Sequence, residues 1–202
     1  MIEDWSQRAR ILARFVRNLR TLRDRAGLSQ EDAAILAGLH RTEISLLERY
    51  ERMPRAETLV RIFSVLESDA WDLLDGLAWE LDGQAALPAE VEHPTVADSR
   101  GRRAVANPWE RFGLLLTRER LRARLRQDEV GWLVQMHRTE ISLMERGGRQ
   151  PRLDLLLQLA AAVETRAPEL LSGIHWIPGD ISVVRGGYVV RAEQLALEDG
   201  CV

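Results

Sequence analysis

A shift of 97 residues lays residues 15–79 on residues 112–176 without a gap and matches 27 of 65 positions, so the chain contains one unit twice. The densest stretch is His40-Arg41-Thr42-Glu43-Ile44-Ser45-Leu46, which returns letter for letter as His137-Arg138-Thr139-Glu140-Ile141-Ser142-Leu143. Arg23/Arg120, Gln30/Gln127, Glu48/Glu145, Pro54/Pro151, Gly76/Gly173 and Trp79/Trp176 also match. Each copy of about 65 residues is large enough to form a small core, and two copies are too few for a solenoid. Between them, residues 80–108 carry Pro88, Pro94, Gly101 and Pro108 with no sustained apolar period, and read as a linker. The predicted organisation is a first unit with an N-terminal helical extension at 1–79, the linker at 80–108, a second unit at 109–176 and a tail at 177–202.

Within the first unit, Phe15, Leu19, Leu22 and Ala26 fall at helical spacing in a first helix stopped by Gly27. Ser29 followed by Asp32 reads as a capping box that opens a second helix, and Gly38 ends it. Arg41 to Arg49 make a third helix whose Ile44 and Leu47 point inward. Leu59, Ile62, Phe63 and Leu66 form the stripe of a fourth, and Trp71, Leu73 and Leu74 belong to a short fifth. Five helices with a tight turn between the second and third is the plan of a helix-turn-helix unit.

These residues also carry a family resemblance. Leu28-Ser29-Gln30-Glu31, then Ile44-Ser45 and Leu47-Glu48-Arg49, then Pro54, resemble the Cro and lambda-repressor-like helix-turn-helix family, also called the xenobiotic-response-element type. The expected fold class is all-α: two five-helix lambda-repressor-like domains in tandem, with a short C-terminal β-hairpin. The resemblance implies a recognition helix in the major groove with its N-terminal residues at base edges.

The residue chemistry agrees. Arg41, Thr42, Ser45 and Leu46 lie on the side of the third helix opposite Ile44 and Leu47, and Arg138, Thr139, Ser142 and Leu143 repeat them. Arginine matches the two acceptors of guanine, and threonine and leucine methyl groups suit the thymine methyl. The resemblance places Gln30 and Gln127 at a phosphate, beside main-chain N–H groups that favour an anion. Arg49, Arg52 and Arg55, with Arg146, Arg149 and Arg152, follow the recognition helices and are expected at the flanking backbone, as are His40 and His137 through a helix cap or a phosphate. The resemblance further implies structural ion pairs between Arg23 and Glu48 and between Arg120 and Glu145.

The copies depart from the pattern in the framework. Arg126 replaces the capping Ser29, Gln135 replaces Gly38, Tyr50 stands where the second unit has Gly147, and Glu119 replaces Leu22. A turn that needs positive φ would strain Gln135.

All 28 basic residues are arginine, and the net charge of −3 argues against indiscriminate coating of nucleic acid while leaving room for a local basic face. Residues 15–79 hold 9 arginines and 11 acids, net −2; residues 112–176 hold 10 and 8, net +2. The second unit is therefore expected to bind phosphate more strongly. Cys201 is the single cysteine, which excludes a disulfide framework and a zinc thiolate cluster. No apolar run of membrane-spanning length appears, so a cytoplasmic protein is expected, and the helix-turn-helix resemblance implies a prokaryotic one. No catalytic constellation, metal site, cofactor or small-molecule site is expected either.

Arg100-Gly101-Arg102-Arg103 resembles the core of a minor-groove hook but lacks its proline, and reads as a solvated loop. In the tail, Ile181-Ser182-Val183-Val184 and Tyr188-Val189-Val190 flank Gly186-Gly187, a hairpin signal that makes this segment the candidate for a homodimer or protein partner. A linker of 29 residues spans roughly 30 Å when flexible, near the roughly 34 to 36 Å between half-sites one helical turn apart. The sequence thus predicts a regulator that holds double-stranded DNA through two similar recognition helices on half-sites of unspecified orientation. The alternative is a protein-interaction module, antitoxin-like or adaptor-like, built on the same helices or on the hairpin.

Overall fold

The computed structural model describes residues 2–81, 102–104, 107–179 and 186–191. The first unit is α1 (Ile2–Arg25), α2 (Gln30–Leu36), α3 (Arg41–Glu48), α4 (Ala56–Val65) and α5 (Ala70–Leu73). The second is α6 (Trp109–Arg122), α7 (Gln127–Leu133), α8 (Arg138–Glu145), α9 (Leu153–Ala162) and α10 (Ala167–Leu170). Three strands, β1 (Arg102–Ala104), β2 (Ile174–Ile177) and β3 (Gly187–Arg191), complete the described chain.

Local chemistry explains the helix limits. Ile11, Phe15, Leu19 and Leu22 form one buried stripe along α1. Ser29 caps α2 with a full capping box: its hydroxyl accepts from Asp32 N at 3.0 Å and its own N–H donates to Asp32 Oδ2 at 3.3 Å. Arg126, its counterpart before α7, keeps only the reciprocal half, donating its N–H to Glu129 Oε2 at 2.7 Å. Glu119 is buried where Leu22 packs in the first unit, and its carboxylate is paired with Arg118 at 2.7 Å and Arg122 at 2.9 Å. Burial of that acid is tolerated because two guanidiniums of the same helix meet its charge.

Left-handed backbone occurs at the same five places in both units: 27/124, 38/135, 50/147, 67/164 and 76/173. The second unit's turn does place Gln135 at φ +55°, against +61° for Gly38.

The strands differ in part from the sequence expectation. Residues 181–184 lie outside the described residues, whereas Tyr188, Val189 and Val190 sit in β3. The antiparallel partner of β3 is β2, with Trp176 opposite Tyr188 and Ile177 opposite Gly187. On its other edge β3 pairs with β1, Arg103 opposite Val190, so Arg102 and Arg103, expected in a loop, belong to a three-stranded sheet ordered β1-β3-β2. Pairing on both edges satisfies the β3 main chain that an isolated hairpin would leave half open.

The two units touch at equivalent residues. Arg55 and Arg152 form an antiparallel bridge in which Ala56 N donates to Pro151 O and Leu153 N to Pro54 O, both at 2.9 Å. The sheet meets both units: Tyr188 lies edge-on to Trp109 of α6 with 6.0 Å between ring centres, while β2 packs on α4, Trp176 N donates to Ser64 Oγ at 2.9 Å, and Trp176 Nε1 donates to Leu36 O at 3.1 Å. Arg61 of α4 stacks over Trp176, 4.4 Å from the ring centre, and its Nε donates to the Tyr188 hydroxyl at 2.7 Å. Burial pushes the Tyr188 phenol above its ordinary range, so the hydroxyl that holds Arg61 is neutral. From the other end, the N-terminal extension of α1 brings Arg8 Nε to Asp154 Oδ2 of α9 at 3.4 Å. The buried apolar side chains of both units form one continuous cluster. Among the described residues no helix is long and apolar enough to cross a membrane.

Candidate nucleic-acid interface

The outer faces of α3 and α8 start from one cap. His40 Nδ1 accepts from Thr42 N at 3.4 Å and lies 2.8 Å from Thr42 Oγ1; His137 repeats this at 3.3 Å and 2.8 Å with Thr139. With Nδ1 accepting from the main chain, the ring offers Nε2–H outward and the threonine hydroxyl donates to Nδ1.

Below this cap, Ile44, Leu47, Ile141 and Met144 are buried and orient the helices. Arg41, Thr42, Arg138 and Thr139 are exposed, and Ser45, Leu46 and Ser142 are half-buried. Leu143 is more open than Leu46. Among the described residues neither Arg41 nor Arg138 is held in a hydrogen bond or ion pair. Two unpaired guanidiniums at the first turn of two identical outward faces are free for an incoming acceptor.

Behind each face lies a buried carboxylate. Glu48 accepts from Arg23 Nε at 2.7 Å and from Gln30 Nε2 at 2.7 Å, and Arg20 reaches its main-chain oxygen at 2.5 Å and its carboxylate at 3.6 Å. Hydrogen bonding to Glu48 raises the Arg23 pKa, so the guanidinium is held firmly charged. Glu145 accepts from Arg120 Nε at 2.5 Å and Gln127 Nε2 at 2.6 Å. Position 20 is Thr117 in the second unit, so that third donor is missing there. Each glutamine thus has one amide hydrogen committed to the buried acid, tying the second helix to the third.

The remaining arginines fall into two sets. In the first unit Arg49 pairs with Glu51 at 2.9 Å and Arg52 with Glu43 at 2.6 Å, while Arg55 is exposed and unpaired. In the second, Arg149 pairs with Glu140 and Arg152 with Asp154 at 3.0 Å, while Arg146 is exposed and unpaired because Gly148 replaces Glu51. Of these only the Arg49–Glu51 pair is exposed on both sides, the kind that contributes about 0 to 1 kcal/mol and exchanges readily for a phosphate, whereas Arg152 answers the buried carboxylate of Asp154. Sequence reasoning did not single out Arg20 or Arg61. Position 20 has no counterpart in the second copy, and Arg61 acquires its role from residues more than a hundred positions away.

Among the described residues no group of histidine, cysteine or acidic side chains is arranged to hold a metal ion. A family model described as a helix-turn-helix domain matches residues 14–73 and again residues 111–172. No curated protein and no solved structure matches the chain.

Proposed function

The chain belongs, through both of its units, to the helix-turn-helix domain family, and from that premise we propose that it is a sequence-specific double-stranded DNA-binding transcriptional regulator, working in the cytoplasm, with one recognition helix on each of two half-sites. The observation that carries this reading is the pair of identical outward faces on α3 and α8, each headed by an unpaired arginine. Arg41 and Arg138 take the O6 and N7 acceptors of a guanine, and the Thr42, Thr139, Leu46 and Leu143 methyl groups meet thymine methyls. Ser45 and Ser142 complete the reading face. The backbone is met by His40 and His137 through Nε2–H, and by Arg49, Arg52, Arg55, Arg146, Arg149 and Arg152. Gln30 and Gln127 contribute their main-chain N–H groups and a remaining amide hydrogen.

The test is a gel shift on genomic fragments with the wild-type chain and the Arg41→Ala/Arg138→Ala double variant. Each lost bidentate contact is expected to weaken specific binding by about 1 to 3 kcal/mol, and four or more phosphate contacts give a log-log salt slope of about −4 or steeper. Near-unchanged specific binding by the double variant removes the assignment. Failure of the wild type to bind any fragment favours a protein-interaction role instead, for which the exposed Leu114, Leu121 and Trp132 of the second unit offer the surface.

A further inference from the structure

The contact between the units says how the two half-sites must lie. Under the 97-residue shift Pro54 becomes Pro151 and Ala56 becomes Leu153, so the bond from Ala56 N to Pro151 O turns into the bond from Leu153 N to Pro54 O. A pair of bonds that exchange into each other is the mark of a two-fold axis, here passing between Arg55 and Arg152. A head-to-tail arrangement would pair unlike segments and leave one of the bonds without its mate. The units share their helix lengths from α2/α7 to α5/α10 and their five left-handed positions, so the operation that superposes these segments carries each whole unit onto the other. The terminal tryptophans follow the same exchange. Trp176 of the second unit packs beside Arg61 of α4, and Trp79 of the first lines a cleft with Leu155 and Gln158 of α9, where Gln158 is the counterpart of Arg61.

We infer that one chain reads an inverted repeat of two like half-sites across an axis built into the chain, without a second copy. This rests on the DNA-reading role proposed above. The half-sites are alike because the two reading heptapeptides are identical, and inverted because the two-fold turns α8 against α3. Their spacing is fixed because the bridge begins six residues after the end of each recognition helix, at Pro54 and Pro151. Arg8 on Asp154 and Trp176 on Ser64 and Leu36 hold the same arrangement from further out. A 29-residue connection alone would permit direct, inverted or everted sites equally; the main-chain pairing selects one.

The experiment is selection from a random duplex pool by the full chain, followed by binding titration and native mass spectrometry on the recovered site. The expected result is an inverted repeat with a single centre spacing, saturated by one chain per duplex. One base pair added at the centre turns a half-site by about 35°, and is expected to weaken binding about tenfold or more. A direct repeat, an equally good range of spacings, or two chains on one inverted repeat overturns this inference and leaves the DNA-reading role standing. Failure to enrich any sequence overturns both.

Discussion

At the turn between its second and third helices the first unit places Gly38 and the second Gln135, and both take a left-handed φ, +61° and +55°. Just after the third helix the exchange is reversed: Tyr50 at +66° faces Gly147 at +72°. Each unit thus relaxes one of these turns with glycine and forces the other on a side chain, at roughly 1 to 2 kcal/mol for the forced residue. The backbone path is shared even where the residue best suited to it is not. Glu67 and Glu164 are forced alike in both units, but position 124 adds Arg124 for Gly27 in the second alone, and Arg126 cannot accept the bond that Ser29 accepts, so the second framework is the more strained. The outward faces of α3 and α8 show no such divergence.

The largest effect should come from the buried acids. Removing a partner from a buried charge cluster costs about 3 to 5 kcal/mol, so Glu48→Ala and Glu145→Ala should each shift the urea midpoint strongly. The Glu48 carboxylate gathers Arg23, Gln30 and, at 3.6 Å, Arg20, whereas among the described residues that of Glu145 gathers Arg120 and Gln127. The Glu48→Ala loss should therefore be the greater. Equal losses would mean that Arg20, nearly half exposed, adds nothing measurable.

The opposite sign is expected where the second framework is repaired to match the first. Gln135→Gly relieves the left-handed strain but frees more unfolded conformations, leaving about 0.5 to 1 kcal/mol of stabilisation. Arg126→Ser restores an acceptor for the α7 N-terminus and should add about 1 kcal/mol. Tyr50→Gly in the first unit should yield less, since the Arg20 guanidinium lies over the Tyr50 ring at 5.8 Å and that contact would be lost. Thermal melts of the three variants rank them, and a gain for Tyr50→Gly as large as that for Gln135→Gly would break the comparison.

How much of this was legible beforehand follows from the range of each interaction. The helices of both units, the Ser29–Asp32 box and the strained turn at Gln135 are written in residues three or four apart or in the comparison of aligned positions, where one sequence suffices. The strand Ile174-His175-Trp176-Ile177 does alternate buried and half-buried residues, but four residues at the close of a helical unit make a weak pattern, and nothing local says that it packs on α4 of the other unit. β1 inside the segment read as a linker, Arg61 between Trp176 and Tyr188, and the two-fold bridge at Arg55 and Arg152 all join distant stretches of chain. Duplication was plain in the letters; the symmetry that relates the duplicates lies only in the contacts between them.

The smallest effect concerns how the two units meet the DNA backbone. Arg146 is unpaired and Arg49 is shared with Glu51, although both occupy the position after the recognition helix. In the wild type, Arg146→Ala should flatten the log-log salt slope by about 1, the signature of one lost phosphate contact. Arg49→Ala should flatten it by less, because part of that charge already answers Glu51. Glu51→Gly, which installs the second unit's residue, frees Arg49, so affinity should rise by about two- to threefold at moderate salt as one phosphate contact strengthens. In that background Arg49→Ala should then cost as much slope as Arg146→Ala. If Arg49→Ala and Arg146→Ala already match in the wild type, the Glu51 pair opens without cost on the DNA, and the charge difference between the units plays no part in how they hold it.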